Sequence, residues 1–179
     1  MTRFRFVAAA LAAALATFPA LAHVLSGPDK HFLERAARES RAEVELGELA
    51  RQKGMRDEVK SFAARMVEDH GRAAEEIARI AEARGVQLPA GTDRDLREDV
   101  KEMKDLVGPE FDRAYMKRML DAHEKSLELF REQAKSAEDP DVRAFAQRQL
   151  LAMEGHYDAA LGTQGLTRKT EREHGSRRR

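Results

Sequence analysis

The 179-residue sequence predicts an all-α protein: a four-helix bundle built from two helical hairpins, joined by a long crossover that contains a short extra helix. Two observations carry this reading. Leu, Ala, Glu, Arg and Lys are abundant, aromatics make up 6% of the chain and runs of β-branched residues are missing, a composition that favours helix throughout. Apolar residues also recur at steps of three and four along four long segments, which places them on one face of each helix.

The first helix is expected from about Asp29 to Lys53, with Phe32, Ala36, Glu43, Gly47 and Ala50 facing inward and Gly54 as its stop. The second runs from about Asp57 to Arg84, with Val59, Phe62, Met66, His70, Ala74 and Ile77 inward and Gly85 as its stop. Both glycines suit a left-handed C-terminal cap. Pro89 and Gly91 mark a loop, and a shorter helix follows from about Asp93 to Val107. Pro109 suits the first turn of the next helix, which runs to about Ala137 with Phe111, Tyr115, Met119, His123 and Phe130 inward. Asp139-Pro140 caps and starts the last helix, whose inward line is Val142, Phe145, Gln149, Met153, His156 and Ala160, and which should end near Gly162. The stretches Val59-Lys60-Ser61-Phe62-Ala63 and Val142-Arg143-Ala144-Phe145-Ala146 each open the second helix of a hairpin, so the hairpin looks duplicated. The segment from Gly85 to Pro109 is long enough to cross the bundle, as in ferritin-like topologies, which would put the two hairpin turns at opposite ends.

The ends of the chain have their own character. Arg3 and Arg5, an apolar run to Phe18 and the small-residue pattern Ala20-Leu21-Ala22 read as a signal peptide, residues 1–22, cleaved after Ala22. The apolar run is too short to span a bilayer, and nothing later approaches about 20 consecutive apolar residues, so no transmembrane segment is expected in the mature chain. The expected location is therefore exported and periplasmic. Residues 23–164 form the bundle domain and carry a formal charge of −6, while residues 165–179 form a basic tail of +4, expected to be disordered. An acidic body argues against nucleic acid as a partner. Cysteine is absent, which excludes disulfides and thiolate chemistry.

Four ionisable side chains, Glu43, His70, His123 and His156, fall one per long helix on the inward face. Each is surrounded by apolar neighbours, and burying such a group without a partner costs several kcal/mol, about 2–7 on transfer scales. The four should therefore satisfy one another or a shared ligand. The hairpin offsets stagger each pair by about four residues, roughly 6 Å at 1.5 Å per residue, which brings both pairs to one level near mid-height. A di-iron centre of the ferritin kind needs bridging carboxylates, a Glu on two helices and Glu-x-x-His on the other two. Val67 stands three residues before His70 and Met153 three before His156, so that pattern is not met. One carboxylate and three imidazoles suit a single zinc, iron, manganese or copper ion. Met66, Met119 and Met153 share helix faces with the histidines and are candidate soft ligands for copper, although methionine also fills helical cores with the same spacing. Asp69, Asp121 and Glu154 are near the histidines in sequence and are candidates to orient their rings, with the solvated surface as the blander reading. His23, His31 and His174 offer no partner set.

The stretches Ala42-Glu43-Val44-Glu45-Leu46-Gly47, Phe62-Ala63-Ala64-Arg65-Met66-Val67-Glu68-Asp69-His70, Gly108-Pro109-Glu110-Phe111-Asp112-Arg113-Ala114-Tyr115-Met116 and Ala122-His123 resemble the bacterial domain of unknown function 4142. The resemblance covers roughly Asp29 to Leu161 and implies an exported, ferritin-like bundle with no established reaction. Leu150-Leu151 depart from the proline that the family often carries there. Three readings follow: an exported bundle that binds a metal ion or small ligand at the Glu/His cluster, in metal handling or stress protection; a non-catalytic structural or interaction module whose polar network is purely structural; or a mononuclear metal enzyme, which needs an open coordination position and a substrate cleft. No nucleophile elbow, phosphate loop or zinc-peptidase motif supports an enzyme.

Overall fold

The computed structural model describes the backbone of residues 24–91 and 94–176, and their side chains except at 94–97, at 99 and beyond 165. The expected signal peptide, its cleavage point, His23 and the three terminal arginines lie outside the described residues. Five helices are described: α1 (Gly27–Lys53), α2 (Asp57–Ala83), α3 (Arg94–Asp105), α4 (Gly108–Ser136) and α5 (Pro140–Ser176). None is long and apolar enough to cross a membrane.

Helices α1 and α2 form one hairpin and α4 and α5 the other, and the two pack face to face through α1 against α4 and α2 against α5. Polar contacts at the ends fix the directions. At one end the Asp112 carboxylate, at the start of α4, accepts the backbone N–H groups of Met55 (2.9 Å) and Arg56 (3.1 Å) in the α1–α2 turn. At the other end Asp29, at the start of α1, accepts those of Glu138 (3.1 Å) and Asp139 (2.8 Å) in the α4–α5 turn. Neighbouring helices are therefore antiparallel, α2 runs parallel to α4, and the crossover travels the length of the bundle as the sequence implies. Arg84, at the end of α2, holds Asp139 at 2.8 Å and Asp141 at 2.6 Å, while Asp139 caps α5 by accepting the N–H groups of Asp141 and Val142.

These contacts give the duplication a register. Asp29 and Asp112, Gly54 and Ala137, Val59 and Val142, Phe62 and Phe145 are all 83 residues apart and occupy matching places in the two hairpins. Gly47 lies where α1 presses on α2, so that a Cβ there would meet Val67 Cγ2 at 2.8 Å.

Two apolar clusters fill the bundle. The upper one, at the Asp29 end, holds Phe32, Leu33, Ile77, Phe130, Val142 and Phe145, with Phe32 and Phe130 edge to face at 4.9 Å. The lower one holds Leu46, Val59, Phe62, Met66, Phe111, Tyr115, Met116 and Met119. Val100 and Met103 of α3 join this lower cluster, and α3 touches α1 and α4. Arg41 ties the crossover to α1 through the carbonyls of Pro89 (2.7 Å) and Gly91 (3.0 Å).

Three local expectations are corrected. Gly54 ends α1 at φ −54°, not in the left-handed region; its lack of a Cβ matters because that atom would sit 2.7 Å from the Ala50 carbonyl oxygen. Gly85, at φ +66°, has the left-handed geometry expected of it. The last helix continues past Gly162 and Gly165 to Ser176, since each glycine costs a helix only about 1 kcal/mol and no proline follows to break it. Finally, Ala73 replaces Ala74 on the buried face of α2, and Gln149 is half-buried.

Candidate metal centre

Between the two apolar clusters lies a polar layer. On α2 the lower cluster ends at Met66 and the upper begins at Ala73; on α4 they are separated by the stretch from Met119 to Leu127, and on α5 by that from Met153 to Ala160. His70, His123 and His156 fall in these gaps at 5%, 2% and 2% exposure, and Glu43 joins them at 7%. The three imidazole rings form a nearly equilateral triangle with centroids 5.4–5.6 Å apart. One ligand atom from each histidine lies within 4.8 Å of the others.

Hydrogen bonds decide which ring nitrogens carry protons. His123 Nδ1 faces the Met119 carbonyl oxygen at 2.9 Å, and since a carbonyl can accept but not donate, this nitrogen bears the hydrogen. His156 Nε2 faces Asp69 Oδ2 at 2.7 Å and donates to that carboxylate. In neutral rings, the remaining nitrogens, His123 Nε2 and His156 Nδ1, both present lone pairs, and they face each other at 3.3 Å. Two lone pairs repel unless a proton or cation lies between them. A proton is disfavoured because burial, chiefly, and the neighbouring cationic groups push His123 down to about 4, and the bond to Met119 only partly opposes this. His156 is also lowered, by burial first, with Asp69 acting in the other direction. His70 is held well below the usual range by burial and then by the other two rings, and its Nε2 is buried without a hydrogen-bond partner. Two nitrogens on one tetrahedral ion with bonds of about 2.0–2.1 Å are separated by roughly 3.3–3.4 Å, which the His123–His156 pair matches.

Glu43 does not join this close set of ligand atoms; it faces His70 and His123 across a cavity of about 10 Å³, room for a single water or ion, lined by Glu39, Ser40, Glu43, His70, His123, Ser126 and Met153 among others but not by His156. Its Oε2 is buried and unpartnered, and burial raises its carboxyl to about 8, with Arg118 opposing and Glu39 adding to the rise. The Tyr115 hydroxyl is also buried without a partner; burial, and then the charge of Glu43, push it well above its ordinary range.

The sequence expectations separate here. Met153 lines the cavity, whereas Met66 and Met119 pack in the lower apolar cluster, Met119 reaching the site through its backbone carbonyl. Asp69 orients His156, but Asp121 pairs with Lys117 at the surface and Glu154 with Arg131 at 3.2 Å. His31 is exposed. The 83-residue register also differs from the one expected: the partner of Glu43 is Ser126, that of Ser40 is His123, and that of His70 is Met153. All six residues line the cavity. Ser40 and Ser126, which the sequence reading does not single out, sit three residues from Glu43 and His123 on the same faces, so the three-residue step could have found them.

Fold and site together define a class: an all-helical, ferritin-like four-helix bundle with three buried histidines close to one another between its two apolar clusters. The chain belongs to the family described as "Domain of unknown function (DUF4142)", whose model matches residues 14–162. The crystal structure of a DUF305 fragment from Deinococcus radiodurans is similar in fold, with a TM-score of 0.72 at 11% identity, covering 79% of this chain and 98% of that one. No curated protein matches the chain.

Proposed function

We propose that this protein binds a single transition-metal ion (zinc, iron, manganese or copper) through His70, His123 and His156, with the Glu43 carboxylate completing the set. The observation that carries this reading is the pair of facing lone pairs, His123 Nε2 and His156 Nδ1 at 3.3 Å, beside the orphaned His70 Nε2 and Glu43 Oε2. One cation answers the three histidines, whose ligand atoms lie within 4.8 Å of one another, and Glu43 reaches it from the far side of the cavity. The Met119 carbonyl and Asp69 act as the outer hydrogen-bond partners that fix ligand tautomers in metal sites. A cavity of about 10 Å³ admits water but no organic substrate, which favours metal handling, storage or stress protection over catalysis. The Arg3/Arg5 run and Ala20-Leu21-Ala22 support export to the periplasm before the ion is taken up.

The test is elemental analysis of protein purified without chelator or affinity-tag histidines, beside a His70→Ala/His123→Ala double variant. Near-stoichiometric metal in the wild type, lost in the variant, is the expected result. A wild type that is metal-free, and whose melting is unmoved by added zinc, copper, iron or manganese, overturns the proposal and leaves the layer as a structural polar network.

A further inference from the structure

The walls of the cavity differ sharply from side to side. Towards α2 and α5 the triad is sealed by the His156–Asp69 bond at 2.7 Å, with Arg65 and Arg72 holding Asp69 from outside. Opening that side would release the very contact that orients a ligand. Towards α1 and α4 the lining is Ala36, Ser40, Ser126 and Phe130, with one carboxylate at its surface side, Glu39. The Glu39 side chain is 29% exposed and bonded in both directions: Oε1 takes the Arg35 Nε–H at 2.8 Å on the surface, and Oε2 takes the Ser126 hydroxyl at 3.0 Å. Helices α1 and α4 are joined more loosely than the two helices of either hairpin. The crossover helix α3 touches both α1 and α4, where its Val100 and Met103 pack on the lower cluster, and Glu39 keeps its exposure with α3 in place.

We propose that Glu39 is the entry carboxylate of the metal site: it captures a hydrated divalent cation at the α1–α4 seam and passes it by Ser126 and Ser40 to Glu43 and the three histidines. This rests on the metal reading above. Capture requires Glu39 to leave Arg35, an exposed pair whose loss costs little, about 0–1 kcal/mol. The released Ser126 hydroxyl and that of Ser40 then offer oxygen donors along the few ångströms to the cavity, replacing part of the ion's water shell. Glu39 is a positioning residue and not a ligand of the final site, so its removal acts mainly on rates, with a smaller effect on affinity because its charge reaches Glu43.

Cobalt(II) serves as the probe, because its visible absorption reports four-coordinate binding during stopped-flow mixing. Wild type, Glu39→Gln, Ser126→Ala and Asp69→Asn proteins are compared for association rate and for Kd. Glu39→Gln keeps an acceptor for Ser126 but removes the charge, and is expected to slow association about tenfold, with Kd weakened by a clearly smaller factor. Ser126→Ala removes an oxygen donor from the path and should also slow association, the opposite of what a merely loosened bundle would do. Asp69→Asn should weaken Kd through faster dissociation while leaving association intact. An unchanged association rate in Glu39→Gln, a Kd weakened at unchanged association, or slowed entry in Asp69→Asn overturns the proposal. A wild type that takes up no cobalt, zinc or copper overturns the metal reading itself, which is a different outcome from cobalt entering by another route.

Discussion

Replacing Glu43 by glutamine should make the metal-free protein more stable and the metal-loaded protein less so. Burial raises the Glu43 carboxyl from 4.5 to about 8, so the folded chain keeps its proton where the unfolded chain has released it. The sign follows from linkage: between pH 4.5 and 8 the folded state binds more protons, and stability contributed by this group is lost as pH rises through that window. At pH 7 the gap from the ordinary value spans two and a half pH units, which at 1.36 kcal/mol each is a cost of up to about 3 kcal/mol. The glutamine side chain cannot ionise and has nearly the same shape. In chelator at pH 7 the Glu43→Gln variant should gain up to about 3 kcal/mol, or roughly 6–12 °C in Tm for a domain of this size, and the gain should vanish near pH 4.5. With saturating metal the order reverses, because the wild type supplies an anionic ligand and the variant does not. Urea unfolding from pH 4.5 to 8, in chelator and in zinc, measures all of this. A variant less stable than wild type in chelator at pH 7, or a difference that does not change with pH, refutes the argument that Glu43 is a buried, unpaired acid.

The histidines work in the opposite direction. The folded chain refuses protons that the unfolded chain accepts below 6.5, so in a Glu43→Gln background without metal, stability should fall as pH drops from 6.5 towards 4, by about 3 kcal/mol from His123 alone. A flat urea profile over that window would show that the rings are not buried neutral. Asp69→Asn should weaken metal binding about 10–100-fold, measured by competition against a chromophoric chelator, because an amide holds the His156 ring less firmly in its tautomer. Asp112→Ala strands two N–H groups of the opposite hairpin's turn and should cost about 3 kcal/mol in urea unfolding, while leaving metal stoichiometry intact. Gly47→Ala should cost about 1–3 kcal/mol by the same assay, since its Cβ would press on Val67 and on the Ala63 carbonyl.

Much of the fold was legible because helical periodicity is local. The steps of three and four place Phe32, Ala36, Val59, Phe62, Phe111, Tyr115, Val142 and Phe145 in the core, and the long crossover implies the parallel direction of α2 and α4. The nearness of the three histidines was legible for the same reason, since positions along a helix convert directly into height, whereas Glu43 lies apart across the cavity. Long-range features left little trace. Nothing beside Asp29 or Asp112 announces that each will hold the turn of the other hairpin, more than 50 residues away. The methionines depart from the sequence expectation because periodicity reports a face and not a height: Met66 and Met119 share faces with the histidines but lie one turn lower, inside the apolar cluster. Asp69 could not be separated from Asp121 and Glu154 by sequence, because whether a carboxylate at the edge of a face meets solvent or a ring depends on the neighbouring helix.

The duplication explains why the site suits one ion. A bundle made of two equal hairpins would offer each cavity position twice, and a carboxylate repeated on both sides would make a pocket for two bridged cations. Here the repeats have diverged at every polar position of the cavity: Glu43 faces its counterpart Ser126, His123 faces Ser40, and His70 faces Met153. The fourth group, His156, has Ala73 as its counterpart. The loss of the second carboxylate removes the anionic bridge that would screen two cations from each other. What remains is the Glu43 carboxylate with His70 and His123 around a space the size of a water molecule, His156 lying against His123, while Glu39, the other carboxylate of the lining, is held by Arg35 and Ser126. On the proposed reading, in a medium where unscreened cations repel strongly, this set holds one divalent ion. Restoring the symmetry by Ser126→Glu should therefore raise metal stoichiometry above that of the wild type. If the variant still binds the wild-type amount of metal by elemental analysis, the divergence of the two hairpins is not what limits the site.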